Sequence, residues 1–162
     1  MGITRKRMAG LNRFIAASAV LVWPLLLLAA DTPGFKTETL RGRAVYLSEA
    51  FEKQTGIAAV PEARQRIIAI EAADGTLVPL LEDARGRAFR SDERLRQMDL
   101  ELLVRRYSTS PAVQIIRVLE VTKEGRFEID YWCDICAIPL VENRECDCCQ
   151  GPVALRRRKV ND

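Results

Sequence analysis

CDICAIPLVENRECDCCQGP, residues 133–152, contains all five cysteines of the 162-residue chain. One unit, C-D-x-C, occurs twice in it, as Cys133-Asp134-Ile135-Cys136 and as Cys146-Asp147-Cys148-Cys149, and each copy is followed by two residues and a proline. A C-x-x-C turn places two sulfurs on one side of a tight loop, so two such turns supply the four-sulfur tetrahedral shell of a closed structural zinc site. Thiolate sulfur also suits Cu(I) and iron, and the spacing does not choose among them. The expected ligands are Cys133, Cys136, Cys146 and Cys149. Cys148 is left over as an alternate ligand, a free thiol or a small buried side chain.

The paired units resemble a short zinc ribbon, or the double knuckle of rubredoxin-like proteins, over about the last thirty residues. That resemblance implies a ligand pair at each of two hairpin tips. Nine residues separate the pairs, against about fifteen to twenty in the usual ribbon, and neither second cysteine is followed directly by glycine. Disulfides are the competing use of these cysteines, because an exported chain meets an oxidising compartment. Bridges usually staple distant segments, however, whereas these cysteines are clustered. A third use is a thiol–disulfide redox pair, for which the expected βαβ context is missing from the sequence. With metal bound, four thiolates and a divalent ion leave a local charge of minus two. Arg144 and the run Arg156-Arg157-Arg158-Lys159 are the cations expected to compensate it.

Upstream, Arg5, Lys6, Arg7 and Arg13 precede an uncharged run, Phe14 to Ala30, FIAASAVLVWPLLLLAA. A basic flank before an apolar core is the pattern of a secretory signal, and this one is also long enough to remain as an anchor. Cleavage would fall near Ala29 or Ala30. Positive charge before the run keeps the N-terminus in the cytoplasm, which places the remainder outside, in the periplasm or an equivalent space. Residues 1–30 are expected to be signal peptide or signal anchor and 31–38 linker, followed by a β domain over 39–132, the metal-binding ribbon over 133–155 and a basic tail over 156–162.

The formal net charge of +3 belongs to the leader, since residues 1–30 hold four basic groups and no acid and the rest is close to neutral. Histidine is absent, which removes histidine acid–base catalysis and every mixed His/Cys metal site. Carboxylates are plentiful but form no motif that separates a catalytic pair from surface charge. No catalytic residue is therefore expected.

Between leader and cysteines the pattern is mainly β. Thr39–Leu47 reads as a strand with an internal glycine, a mark of a bend or bulge. Ser48 reads as the N-cap of a short helix that Gly56 ends. Ile67–Ala72, the turn Asp74-Gly75 and Thr76–Leu81 read as a hairpin. Residues 83–90 read as loop, and a short helix starts at Ser91-Asp92-Glu93. Alternation in 98–104, an apolar run in 113–121 and alternation in 127–131 give three more strands, the last leading straight into Cys133. The order resembles an OB-fold, in which a helix separates the third and fourth strands of a small barrel; a β-meander is the simpler alternative. The expected fold is a small OB-like barrel or β-meander with one or two short helices, an N-terminal apolar helix and a C-terminal zinc-ribbon-like element of four cysteines. Near-neutral charge and 6% aromatic content argue against nucleic acid as a ligand, leaving a protein partner or a membrane surface.

Overall fold

The strand that opens the domain, β1 (Phe35–Tyr46), takes two different neighbours along its length. Residues 35–42 pair antiparallel with β4 (Leu100–Tyr107), and residues 43–46 pair antiparallel with β2 (Ile68–Glu71). Gly42 stands at the changeover. A Cβ there would lie 2.1 Å from the backbone oxygen of Glu71, so only glycine lets β2 approach at that point. In the computed structural model, which describes residues 34–161, the strands form one open antiparallel sheet with the path β3-β2-β1-β4-β5-β6-β7. The other members are β3 (Leu77–Pro79), β5 (Val113–Thr122), β6 (Gly125–Cys133), β7 (Ile138–Leu140) and β8 (Ala154–Lys159), the last pairing with β6 off that path.

The mainly β expectation is met, and the helices are few and short. Strands β4 to β7 follow one another as a meander. Helices stand between the third and fourth strands as expected, but the sheet stays open rather than closing into a barrel; among the described residues a single parallel bridge, Leu80 with Val113, joins strands outside that path. Tyr131 and Trp132 pair with β7 on one side and β8 on the other. Phe127 and Glu128 likewise have β5 on one side and β8 on the other, so β5 and β7 share one edge of β6 and β8 occupies the opposite edge.

Among the described residues three α-helices and a 3-10 turn, Pro61–Ala63, fill the connections. α1 (Leu47–Thr55) follows β1 directly and ends at Gly56, whose φ of 74° is the left-handed C-cap expected from the sequence. Ser48 does not cap it: the N-cap is Tyr46, and the Ser48 hydroxyl donates to the Ala63 carbonyl instead. Residues 84–91 form a helix, α2 (Ala84–Ser91), where a loop was expected. The Asp83 carboxylate accepts from the Arg85 and Gly86 backbone N–H groups, the usual satisfaction of free N-terminal donors. The fit against the preceding loop is so close that a Cβ at Gly86 would sit 2.0 Å from the Leu81 backbone oxygen. Asp92 caps α3 (Glu93–Arg96) in the same way, which agrees with the helix start read from the sequence.

The core lies between one face of the sheet and α2–α3. Leu100, Leu102 and Val104 of β4 meet Val113, Ile115 and Val118 of β5, Ile129, Tyr131 and Cys133 of β6, and Phe89 and Leu95 of the helices. Full burial of each large aliphatic or aromatic side chain stabilises by about 1.5–3 kcal/mol. The buried Tyr131 hydroxyl donates to Asp92 Oδ2 at 2.7 Å. Asp92 in turn accepts from the Arg94 guanidinium, whose hydrogen bond is the main reason its carboxyl ionises below the usual range. Burial and the Asp92 bond push the Tyr131 hydroxyl well up, so it stays a donor.

Two expected boundaries move. Phe35 to Glu38, read as linker, pair with Tyr107 to Val104 inside β1. Ala154–Lys159, read as the end of the ribbon and a basic tail, is strand β8, in register with residues 132–127 of β6. The signal or anchor expected over residues 1–30, with its apolar helix, lies outside the described residues. Among the described residues no helix is long and apolar enough to cross a membrane. Gly42→Ala should force β1 from β2 and lower the unfolding free energy by about 2–3 kcal/mol. Urea denaturation of the variant beside the parent checks this.

Candidate metal centre

Cys133 is the last residue of β6 and is fully buried, so the sheet itself carries the first sulfur into place. The chain then turns through Asp134, Ile135 and Cys136 and returns as β7, with Cys133 opposite Ile138. The Ala137 N–H donates to the Cys133 carbonyl at 2.8 Å, closing the turn. The second unit repeats the first. There the Gln150 N–H donates to the Cys146 carbonyl, also at 2.8 Å, and the Cys146 N–H donates to the Gly151 carbonyl at 3.0 Å. Ala137 has φ 55° and Gln150 has φ 56°, both left-handed. Each occupies the place after the second cysteine of its unit. The conformation that glycine would adopt freely is thus present in both turns without glycine.

The four sulfurs of Cys133, Cys136, Cys146 and Cys149 all lie within 4.8 Å of one another. Across the two turns, Cys133 Sγ lies 3.5 Å from Cys149 Sγ. A disulfide would require about 2.05 Å, and all five cysteines are free thiols. Pairwise bridging, the competing expectation, is therefore not the arrangement found. Cys133 and Cys146 are buried, Cys136 and Cys149 half-buried. Cys148 is exposed and stands outside the set of four. Four soft donors converging from two turns, largely shielded from water, can hold a metal ion.

The sulfur environments are unequal. Hydrogen bonds from the Cys149 and Cys148 backbone N–H groups lower the Cys146 thiol to about 7, because N–H dipoles pointed at a sulfur favour its thiolate. Cys136 is pushed well up, first by hydrogen bonding with the Cys148 thiol, then with Cys149, then by desolvation. At Cys133 the Cys136 N–H favours the thiolate, but desolvation and bonds with the Cys149 and Cys146 thiols outweigh it, and the thiol is raised. Crowded sulfurs hold protons when no cation stands among them, since like charges so close cannot all ionise.

The segment joining the turns is fixed from outside. Glu142 is buried, and its carboxylate accepts two bonds from the Arg87 guanidinium of α2, at 2.7 and 2.6 Å. Arg144 contacts Glu142 at 3.0 Å and forms a two-pronged pair with Asp147 inside the second turn. Arg87 therefore leads through Glu142 and Arg144 to the second pair of sulfurs. Nothing in the sequence pointed to Arg87 or Glu142, which are 55 residues apart. Gly151 is held close as well: a Cβ there would meet Ile135 Cδ1 at 3.0 Å and Cys149 Sγ at 3.3 Å.

Charge compensation differs from the expectation. Arg144 is engaged by Asp147 and Glu142. Arg156 pairs with Asp130 and covers the Trp132 ring at 3.7 Å, Arg157 pairs with Glu120, and Arg158 with Glu128. The basic run thus neutralises carboxylates of the sheet rather than the thiolates.

Comparison with protein-family models, with curated proteins and with solved structures gave no match. Replacing Cys133, Cys136, Cys146 or Cys149 singly by serine should abolish stoichiometric metal, while Cys148→Ser should leave it intact; elemental analysis of the purified variants decides. Ala137→Gly and Gln150→Gly relieve a left-handed Cβ and should each raise stability by about 0.5–1 kcal/mol, after the loss of chain stiffness is counted. Thermal melts of the loaded proteins would show it.

Proposed function

We propose that this protein is an exported or membrane-anchored, non-catalytic binding and assembly module whose C-terminal element is a structural zinc site. The observation that carries this is the convergence of four cysteine sulfurs, from two turns of matching geometry, to within 4.8 Å of one another. A tetrahedral zinc with Zn–S bonds of about 2.3 Å needs sulfurs about 3.8 Å apart. The cluster requires only a small contraction to reach that spacing. No water-filled fourth position is implied, because four protein sulfurs already complete the shell. This is the closed form of site that contributes folding energy rather than reaction chemistry.

Cys133, Cys136, Cys146 and Cys149 would hold the ion, and the ion would supply the positive charge that lets all four ionise. Binding would tie β6 and β7 to the segment that leads into β8, fastening the last strand to the sheet. In small zinc folds the stabilisation reaches about 10–16 kcal/mol. Export follows from the basic flank and the apolar run before residue 31. The sheet's arginines do not support a nucleic-acid reading, since Arg117, Arg126 and Arg156 face Glu128, Glu101 and Asp130.

One observation favours a second reading, a carrier or sensor of a soft metal such as Cu(I). Cys148 is exposed, and its thiol is the first cause of the raised Cys136, so a fifth sulfur stands where it could exchange with a bound ligand. The two readings separate on one preparation. Purified without oxygen, the full chain should contain one zinc per molecule and lose its cooperative thermal transition in chelator. A domain that melts unchanged without metal, or that prefers Cu(I) and loses it more readily when Cys148 is intact, would overturn the structural role.

A further inference from the structure

The end of the sheet where β1 begins carries side chains of an unusual kind for a strand start. Phe35 is half exposed, and its ring stands 5.8 Å from that of Tyr107, its partner across the β1–β4 ladder. The Arg105 guanidinium lies over the Phe35 ring at 4.9 Å. Lys36 and Arg106 are opposite each other in the next register position and so lie on the other face of this sheet end. Among the described residues Arg106 pairs with Glu38, while no ion pair involves Lys36 or Arg105. With the turn Ser108–Pro111, Phe35, Lys36, Arg106 and Tyr107 line an open cleft of about 770 Å³. The opposite end of the sheet mixes both signs, with Arg41, Arg43 and Arg126 beside Glu71, Asp99 and Glu101 around one cleft.

The distance to the apolar run is short. Four residues, 31–34, separate Ala30 from Phe35. An extended chain covers at most about 3.6 Å per residue, so a run of residues 14–30 seated in a bilayer holds Phe35 within about 18 Å of its exit from the hydrocarbon. The headgroup layer lies within that reach, and there aromatic rings with one apolar and one wet side concentrate and cations meet lipid phosphates.

From this we infer that Phe35, Lys36, Arg105, Arg106 and Tyr107 form a headgroup-contacting surface for a bilayer containing anionic lipid. The surface rests on the anchored form of the function proposed above. Phe35 and Tyr107 settle among headgroups, and Lys36 and Arg105 supply the charge attraction.

The test uses the full chain reconstituted into phosphatidylcholine vesicles with and without phosphatidylglycerol. Retention in the vesicle pellet through an alkaline wash reports the anchor; a chain released by the wash overturns the anchor and this surface together. With the chain retained, amide exchange read by mass spectrometry should slow in residues 34–38 and 105–112 when phosphatidylglycerol is present, and stay unchanged in 72–76 and 122–126. Lys36→Gln should reduce that slowing about fivefold, the worth of one cation at an anionic surface. Equal exchange at 34–38 and 105–112 in both lipids, or a slowing untouched by Lys36→Gln, overturns the headgroup surface and leaves the anchor standing.

Discussion

Four sulfurs drawn into one small volume set the terms for the C-terminal third of the chain. Cys133 ends a core strand and Cys146 is as deeply buried, so the cluster is continuous with the hydrophobic core rather than appended to it. Without a cation the crowding raises Cys136 and Cys133 while backbone N–H groups lower Cys146, so the four thiols do not ionise together. With one, the same crowding becomes a closed ligand shell. A cation there would turn an electrostatic liability into a clasp between the strands on either side of it.

Those strands also explain what the basic run is for. Arg156, Arg157 and Arg158 alternate across β8, so successive side chains meet different faces of the sheet. Arg156 and Arg158 face Asp130 and Glu128 of β6, with Trp132 under the first, and Arg157 faces Glu120 with Phe127 beneath it. Exposed pairs of this kind each contribute little to stability. Their value is in register: slipping β8 by one residue would place every arginine against the wrong face. The ladder and the sulfur cluster thus specify the same strand position from its two ends.

Much of this was legible beforehand, and the parts that were not share a cause. Alternation at 98–104 and 127–131, the Asp74-Gly75 turn and the repeated C-D-x-C are local signals, and each corresponds to an element found. Gly42 was readable as a bend, though not as the place where β1 changes partner. The β8 strand was hidden because Arg156 to Lys159 has no apolar alternation; its strand character comes from carboxylates on β6, which adjacent residues cannot reveal. α2 was hidden for a related reason, as Arg-Gly-Arg offers no amphipathic period and its glycine is required by contact with Leu81. The Asp83 cap was the one local clue. Ser48 misled because a cap-like residue can equally satisfy a distant carbonyl.

The nine-residue interval between the cysteine pairs, short for a ribbon, is accounted for by what replaces the longer excursion. In a ribbon with a wider interval the second hairpin can find its own position before the metal closes it. Here β7 is three residues long and returns beside β6 immediately, which leaves only residues 141–145 to reach the second turn. So short a link has little freedom to orient Cys146, and the structure supplies the orientation from a helix: Arg87 grips buried Glu142, and Arg144 transmits that grip to Asp147. The second aspartate of the repeated motif consequently has a role in this chain that the first does not share. Asp134 has no such partner among the described residues, because its turn is already fixed by β6 and needs no guide.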